Sequence, residues 1–277
     1  ILLFNGIFFN EKQFNKNITL DINQIFSPTK NINKTEVEKN ILNIIENSNA
    51  DYIIFAENNY PYIISEPEHI NIIKHIKNEK KVIIGGTREE NGKYFNSFLL
   101  LEEDNIQYFD KKILVPFGEF LPFRKYLKLM EKISGTRDFE TGEIDRILIG
   151  KDNLKILPII CYEIIFDKIF ENINKHKIDI IINITNDSWF GSNIGPYQHL
   201  YLARLKSLIA NKPIVRVSNN GISAIINQNG KIIKFSNLNQ VSNILYKINI
   251  NENFSYYLIH KYFSYYLNFV FHNIINI

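Results

Sequence analysis

Residues 154–186 read LKILPIICYEIIFDKIFENINKHKIDIIINITN. Between Lys155 and Glu163 the first ten are uncharged and rich in isoleucine and leucine, as in a buried strand. Residues 164–177 then place apolar side chains at helical spacing, and residues 178–186 return to a β-branched run. The first strand delivers Cys161, the only cysteine in 277 residues, with Tyr162 and Glu163 directly after it. Working upstream, EVEKNILNIIENSN (36–49) and HINIIKHIKNEK (69–80) read as helices. DYIIFAE (51–57) is a short strand ending on a carboxylate, KVIIGGT (81–87) a strand entering a glycine turn, and 94–102 and 106–114 a strand pair. Downstream, 196–212 is a helix, 213–221 and 222–235 are strands, and Asn229-Gly230 reads as a two-residue hairpin turn. Strands and helices alternate with hairpins interspersed, which argues α/β with a mixed sheet. No internal repeat is visible.

Composition narrows the function classes. The chain is 45% hydrophobic and 22% charged, enough to bury a substantial core and too apolar for disorder. A net charge of +3 is small for this length and argues against nucleic acid as a partner. A single cysteine excludes an internal disulfide and a multi-cysteine metal cluster. Ile, Asn and Lys are heavily used, so asparagine carries less weight as a loop signal here than elsewhere.

Three apolar strands end on a reactive or polar side chain: Glu57, Cys161, and the turn TNDSWFG at 185–191. Strand ends in α/β folds are where ligand sites are built. A buried free cysteine is commonly just a small apolar residue. As a nucleophile it needs a base and an oxyanion stabiliser. Six histidines are present (His69, His75, His176, His199, His260 and His272), none with metal-ligand spacing, and a Cys161–His199 pairing is open. The other base is Glu57, with a lysine of YFDKKILVPFGEFLPF (108–123) as its electrostatic partner. Each of these charges, taken singly, also fits a solvated surface position.

Glu57, Lys111 and Cys161 in that order, with KKILVPFGEFLP and CYE, resemble the nitrilase (carbon–nitrogen hydrolase) superfamily. Within it, the likeness is to the apolipoprotein N-acyltransferases of bacteria. It covers most of residues 50–235, through NSFLLLEEDNIQYFDKKILVPFGEFLPFR, ICYEIIF, NITNDSWFG, QHLYLARLKS and NNGISAIINQNGKI; the two ends match poorly. The resemblance implies a four-layer αββα sandwich with mixed sheets and a catalytic triad of Glu57, Lys111 and Cys161, with no cofactor and no metal. Lys111 is favoured over Lys112 by its distance from the leucine of LVPFGE. The resemblance makes Glu119, Tyr162 and Glu163 supporting residues, and Trp189, Phe117 and Phe120 substrate-binding ones. It implies a phospholipid as acyl donor, the N-terminal amine of a diacylglyceryl-cysteine lipoprotein as acceptor, and a thioester on Cys161. It also implies the bacterial inner membrane as location, with the catalytic domain facing the periplasm.

The expected organisation is a catalytic domain over residues 18–250. Residues 1–17 are expected to be the tail of a membrane segment or a first strand. Residues 251–277, aromatic and free of charge from Tyr262, are expected to associate with a membrane or pack on the domain. The family's N-terminal membrane domain is expected to be missing. Residues 117–134, FGEFLPFRKYLKLMEKIS, mix Phe, Leu and Met with Arg124, Lys125 and Lys128, a composition suited to a bilayer surface. Four departures stand out. Ala56 replaces a proline, Ile209 replaces a glutamate expected to support the site, and Lys206 replaces an arginine. A tryptophan expected in the early segment is absent. The competing readings are a soluble amidase using the same triad and an inactive remnant.

Overall fold

The computed structural model describes residues 15–25, 33–66, 70–123 and 138–251. The opening stretch, most of the cationic part of 117–134 and the aromatic C-terminal segment beyond residue 251 lie outside the described residues. Strands β1 (Asn15–Gln24), β2 (Tyr52–Phe55), β3 (Ile63–Ile64), β4 (Lys81–Glu90), β5 (Lys93–Leu101) and β6 (Ile106–Asp110) form the first sheet. Strands β7 (Leu148–Ile149), β8 (Lys155–Ile160), β9 (Ile180–Asn186), β10 (Ile214–Asn219), β11 (Ala224–Ile226) and β12 (Ile232–Phe235) form the second. Strand β13 (Ser242–Asn251) returns to the edge of the first. The helices are α1 (Lys34–Asn47), α2 (Asp167–Phe170), α3 (Asn172–His176) and α4 (Gly195–Ala210).

Both sheets follow one plan. In the first, β1, β2 and β4 run parallel, β5 and β6 extend the sheet antiparallel, and β13 closes the other edge antiparallel. In the second, β8, β9 and β10 run parallel, β11 and β12 extend it, and β7 closes the far edge. The chain therefore repeats a topology that its sequence does not repeat.

The period-2 alternation of each strand separates three layers of core. Ile54, Ile83, Phe98 and Leu100 of the first sheet meet Ile156, Ile182, Ile184 and Val217 of the second between the sheets. The opposite faces of the same strands, Ile53, Phe55, Val82 and Leu99, receive Ile41 and Ile45 of α1. Leu157, Ile181 and Ile214 receive Phe170, Leu200 and Ala203 from the helices of the second sheet. This is the four-layer αββα sandwich with mixed sheets.

Several local expectations are corrected. The helix expected over 69–80 is a single 3-10 turn at Asn71–His75. The helix expected over 164–177 is broken: a 3-10 turn at Cys161–Ile165 is followed by extended Phe166 and then the short α2 and α3. Polar side chains take the backbone groups that a continuous helix would use. Glu163 accepts from the N–H of Ile160, and the Asn172 amide reaches the carbonyls of Ile144 and Ile169. Strand β4 does not turn at its glycines but runs on to Asn91-Gly92. Asn229-Gly230 sits inside a wider loop, where the Asn227 carboxamide accepts from the N–H groups of Asn229 and Lys231.

One side chain ties the end of β1 to three loops. Buried Gln24 accepts through Oε1 from Ser223 N (3.1 Å), Ser223 Oγ (2.6 Å) and Ser236 Oγ (2.8 Å). Its amide nitrogen faces the carbonyls of Gly221, Asn237 and Gln240. Gln24→Ala leaves these groups unpaired and is expected to cost about 2–4 kcal/mol. That lowers the melting midpoint by about 5–10 °C; calorimetry showing no shift would remove Gln24 as a structural tie.

Candidate active site

Glu57, Lys111 and Cys161 come together where strands of both sheets end. Glu57 lies two residues beyond β2, in a turn pressed against β4. A Cβ on Gly85 would fall 2.6 Å from Glu57 Cα and Asn58 N, so this approach requires glycine. The turn is fixed from the other sheet by Asn219, whose amide donates to the Glu57 carbonyl at 2.6 Å. Ala56, where a proline was expected, keeps its N–H, which donates to Asn59 Oδ1 at 2.7 Å. The departure is thus absorbed locally.

Cys161 follows β8 directly and adopts φ +53°, a left-handed conformation rare for a residue with a Cβ. The strain, about 1–3 kcal/mol, is held by hydrogen bonds on both sides. Ile160 N donates to Glu163 Oε2 (3.0 Å), and Asn183 Nδ2 donates to the Cys161 carbonyl (3.2 Å). The Cys161 thiol and the Glu57 carboxyl are both buried and near enough for each to shift the other's pKa.

Lys111 directly follows β6 and is almost fully buried, with its N–H donating to the Asn96 carbonyl at 2.8 Å. Its ammonium lies 2.8 Å from Glu119 Oε1 and 3.5 Å from Glu57 Oε1. Lys112 is the lysine outside the cluster and contributes its backbone N–H to Glu163 Oε1 at 2.8 Å. Glu119 is itself oriented, accepting from Val115 N at 2.8 Å. Asn96, on the inner face of β5, donates at 2.7 Å to each of Glu57 and Glu119. The Tyr162 ring lies under the Lys111 ammonium at 5.6 Å, and its hydroxyl donates to the Leu114 carbonyl at 2.8 Å.

Glu163 points the other way and joins the two active loops. Fully buried, it accepts from Lys112 N, Ile113 N and Ile160 N and pairs with Arg146 at 2.7 Å.

The electrostatics are those of a site that stores its proton on sulfur. Burial, and then the Glu57 charge, push the Cys161 thiol up to about 12, against a smaller opposing pull from Lys111. Lys111 does favour the thiolate, but burial and the Glu57 charge outweigh it. Burial also raises Glu57, and Lys111 only partly offsets it. For Lys111, burial favours the neutral amine, but Glu57, Cys161 and Glu119 together outweigh it and hold the ammonium. Proton transfer from Cys161 to Glu57 leaves the summed charge of the cluster unchanged, which limits its cost in a low dielectric.

His199, the alternative base, has its Nδ1 engaged elsewhere. It lies 3.0 Å from Asp187 Oδ1 and 3.1 Å from Arg216 Nη2, and burial followed by the Arg216 charge lowers its pKa. Ile209 packs on the apolar cluster between the second sheet and its helices. Lys206 pairs there with Asp167. Trp189, 68% exposed, sits in the 3-10 turn Asp187–Phe190 that follows β9. Phe117 is 44% exposed with φ +63°, and Phe120 is half-buried in the same turn as Glu119.

Sequence reasoning missed Asn96, Arg146, Asn183 and Arg216, and singled out Thr185 and Asp187 only as part of the turn at 185–191. Their signal was a polar residue inside a strand or at its end, such as Arg216 in PIVRVSN. In a chain so rich in asparagine, that signal was discounted.

An elbow cysteine, a buried carboxylate and a buried ammonium between two such sheets define a carbon–nitrogen hydrolase site. The family profile described as carbon-nitrogen hydrolase matches residues 21–252, and the chain belongs to that family. Among its relatives, apolipoprotein N-acyltransferase of Rickettsia typhi is 38% identical over 183 residues, covering 63% of this chain and 37% of that protein. The protein of the same name from Brucella suis is 37% identical over 197 residues, covering 66% of this chain and 36% of its own. The chain thus spans well under half the length of the relatives it matches. Among solved structures, a carbon–nitrogen hydrolase superfamily protein from Xanthomonas campestris has a TM-score of 0.63 at 14% identity. It covers 84% of this chain and 91% of its own. Glutamine-dependent NAD+ synthetase from Acinetobacter baumannii gives 0.67 at 17%, covering 85% and 47%. At these identities the two structures speak to fold alone.

Proposed function

We propose that this chain is the catalytic domain of an acyltransferase that moves a fatty acyl group from a phospholipid, through a Cys161 thioester, to the N-terminal amine of a lipoprotein. The proposed domain spans residues 18–250. The observation that carries the reading is the closed cluster of Glu57, Lys111, Glu119 and Cys161, together with the names of relatives at 36–38% identity.

In this reading Glu57 takes the thiol proton as sulfur attacks the ester carbonyl. The tetrahedral oxyanion lies against the Lys111 ammonium and the Tyr162 N–H, and such donors are worth about 3–4 kcal/mol each. The intermediate collapses, and the lysophospholipid alkoxide leaves with the proton from Glu57. The lipoprotein amine then attacks the thioester and gives its proton to Glu57, and the departing thiolate recovers it. Lys111 stays an ammonium throughout. Glu119 and Asn96 hold Lys111 and Glu57 in register, and Glu163 fixes the loops that carry Lys111 and Cys161.

The apolar surface beside the strand ends suits a lipid donor. Trp189, Phe190 and Ile194 in one loop and Phe117 and Phe123 in another are exposed. Aromatic side chains at such sites fit the interfacial zone of a bilayer. The corresponding location is the inner membrane, with the site on its periplasmic side. Among the described residues no helix is long and apolar enough to cross a membrane.

The test is mass spectrometry after incubation with phospholipid in detergent. The expected result is an added fatty-acyl mass that hydroxylamine removes and that is lost in Cys161→Ala. A folded protein whose thiol reacts but which gains no acyl mass, and which hydrolyses small amides, would overturn the reading in favour of an amidase. A folded protein with an inert thiol would mark a remnant.

A further inference from the structure

Strands β8, β9 and β10 run in a register that sets Ile159, Asn183 and Arg216 side by side. Ile159 packs in the apolar cluster under the helices, whereas Asn183 and Arg216 are polar and fully buried. The Asn183 amide donates to the Ile159 carbonyl at 3.3 Å and, two residues on, to the Cys161 carbonyl at 3.2 Å. Its oxygen accepts from Arg216 Nη1 at 2.7 Å. Arg216 Nη2 lies 2.6 and 2.8 Å from the two oxygens of Asp187, a fully buried carboxylate just beyond β9. The Thr185 hydroxyl donates to the same carboxylate at 3.2 Å, and His199 Nδ1 lies 3.0 Å from it. A continuous path of hydrogen bonds thus runs from Asp187 through Arg216 and Asn183 to the backbone of Cys161.

Stability alone does not account for this path. A buried ion pair gains little over well-packed apolar side chains. Arg216 Nε also finds no partner among the described residues, at a cost of about 1–3 kcal/mol. A lysine ammonium could serve Asp187 as a point charge, but a planar guanidinium can hold Asp187 at one end and Asn183 at the other. What lies at the end of the path is the strained residue of the elbow, Cys161 at φ +53°. Glu163 fixes the peptide before it through Ile160 N, and Asn183 fixes its own carbonyl. Without the second clamp the peptide after Cys161 is free to relax, and the side chain turns with it.

We infer that Arg216 is a positioning residue for the reaction proposed above: anchored by Asp187, it aims the Asn183 amide at the Cys161 carbonyl and so keeps the elbow, and the sulfur on it, in place. Its effect on the sulfur passes through Asn183. Asp187, with Thr185 and His199 around it, fixes one end of the guanidinium and leaves the other to orient the amide.

This inference rests on Cys161 being the nucleophile of that reading, so its test uses a readout independent of acyl transfer. Alkylation of Cys161 by iodoacetamide is followed from about pH 6 to about pH 9 in the wild type, Arg216→Lys, Asn183→Leu and the double variant. Lysine keeps the charge beside Asp187 and gives up the reach to Asn183; leucine keeps the shape of asparagine and removes both of its bonds. Asn183→Ser, whose hydroxyl is too short to span both partners, is a second break at the same position should leucine not fold. Rates are taken on folded protein well below each melting midpoint, where a loss of stability alone changes neither the rate nor its pH dependence. Small displacements of a reacting group cost rate steeply, so alkylation should be about ten-fold slower in each single variant. The double variant should be no slower than the slower single one, because both changes cut one path. Wild-type rates in Arg216→Lys overturn the inference, and so do losses that multiply in the double variant, since Arg216 then does not act through Asn183. In acyl-enzyme formation from phospholipid the same variants should lose maximal rate with KM unchanged. A reactive thiol on a protein that gains no acyl mass removes the acyl-transfer reading alone, and the alkylation rates of the variants still decide this inference. A wild-type thiol inert across the range overturns the nucleophile assignment and this inference together.

Discussion

Glu57→Gln is expected to lower acyl transfer by about 10²–10⁴-fold while the protein stays folded. With burial and the Glu57 charge pushing the thiol up to about 12, little Cys161 is ionised at neutral pH without help. Burial is the largest cause and survives the substitution. In the proposed reaction, glutamine cannot take the thiol proton, protonate the lysophospholipid alkoxide or accept the amine proton, so both proposed half-reactions should fail. Alkylation of the thiol should fall less than transfer does, because removing the Glu57 charge also removes the second-largest influence that keeps sulfur protonated. Lys111→Ala is the contrasting case: it takes away a cation that favours the thiolate and should slow alkylation and transfer together. The wild-type transfer rate should rise with pH as Glu57 loses its proton. Burial raises that carboxyl, so the acid limb should lie above the ordinary carboxylate value of about 4.3. Rate–pH profiles of the three proteins check all of this. Transfer by Glu57→Gln at the wild-type rate would remove Glu57 from the chemistry.

The residues proposed to do chemistry were legible because their neighbours are covalent. Cys161, Tyr162 and Glu163 are consecutive, and Lys111 and Glu119 lie in one loop, so short motifs carried them. The α/β class was legible from the apolar periods of residues 154–186. What position and period cannot encode is which strand ends meet. Asn219 reaches the Glu57 carbonyl from the other sheet, and Gln24 reaches Ser223 and Ser236 across the whole chain. The repeated plan of the two sheets was invisible because a strand order needs only alternation and turns, which different residues supply equally well. The broken helix after Cys161 was misread for a related reason. Its apolar spacing is helical, but the choice between one helix and three short turns was made by Glu163 and Asn172. Both are polar residues whose partners, Arg146 and the Ile144 carbonyl, come from a different stretch of chain. Ile209 was weighed as a loss to the active site, yet it faces the helices, where an apolar residue packs well.

Arg146→Met is expected to cost about 3–5 kcal/mol and lower the melting midpoint by about 10 °C or more. Arg146 and Glu163 are both fully buried, paired at 2.7 and 3.1 Å, with the guanidinium 3.9 Å from the centre of the Phe109 ring. Methionine fills much of the arginine stem and covers the ring, so the loss is mainly electrostatic: Glu163 becomes a buried carboxylate without its cation. The variant Arg146→Met/Glu163→Gln separates this from lost packing. A glutamine oxygen still accepts from the N–H groups of Lys112 and Ile113, and no uncompensated charge remains. The double variant should therefore be more stable than Arg146→Met alone, a non-additivity that denaturation of the four proteins measures directly. If the two changes simply add, the pair is not coupled and Arg146 acts through packing. Function should follow the same order. Glu163 holds the loop after Lys111 by two backbone N–H groups and the strand before Cys161 by a third. A carboxylate that swings away to find water releases both, and the ammonium and the sulfur lose their common frame. Acyl transfer in Arg146→Met should accordingly fall well below the loss expected from unfolded protein alone, and recover in part in the double variant.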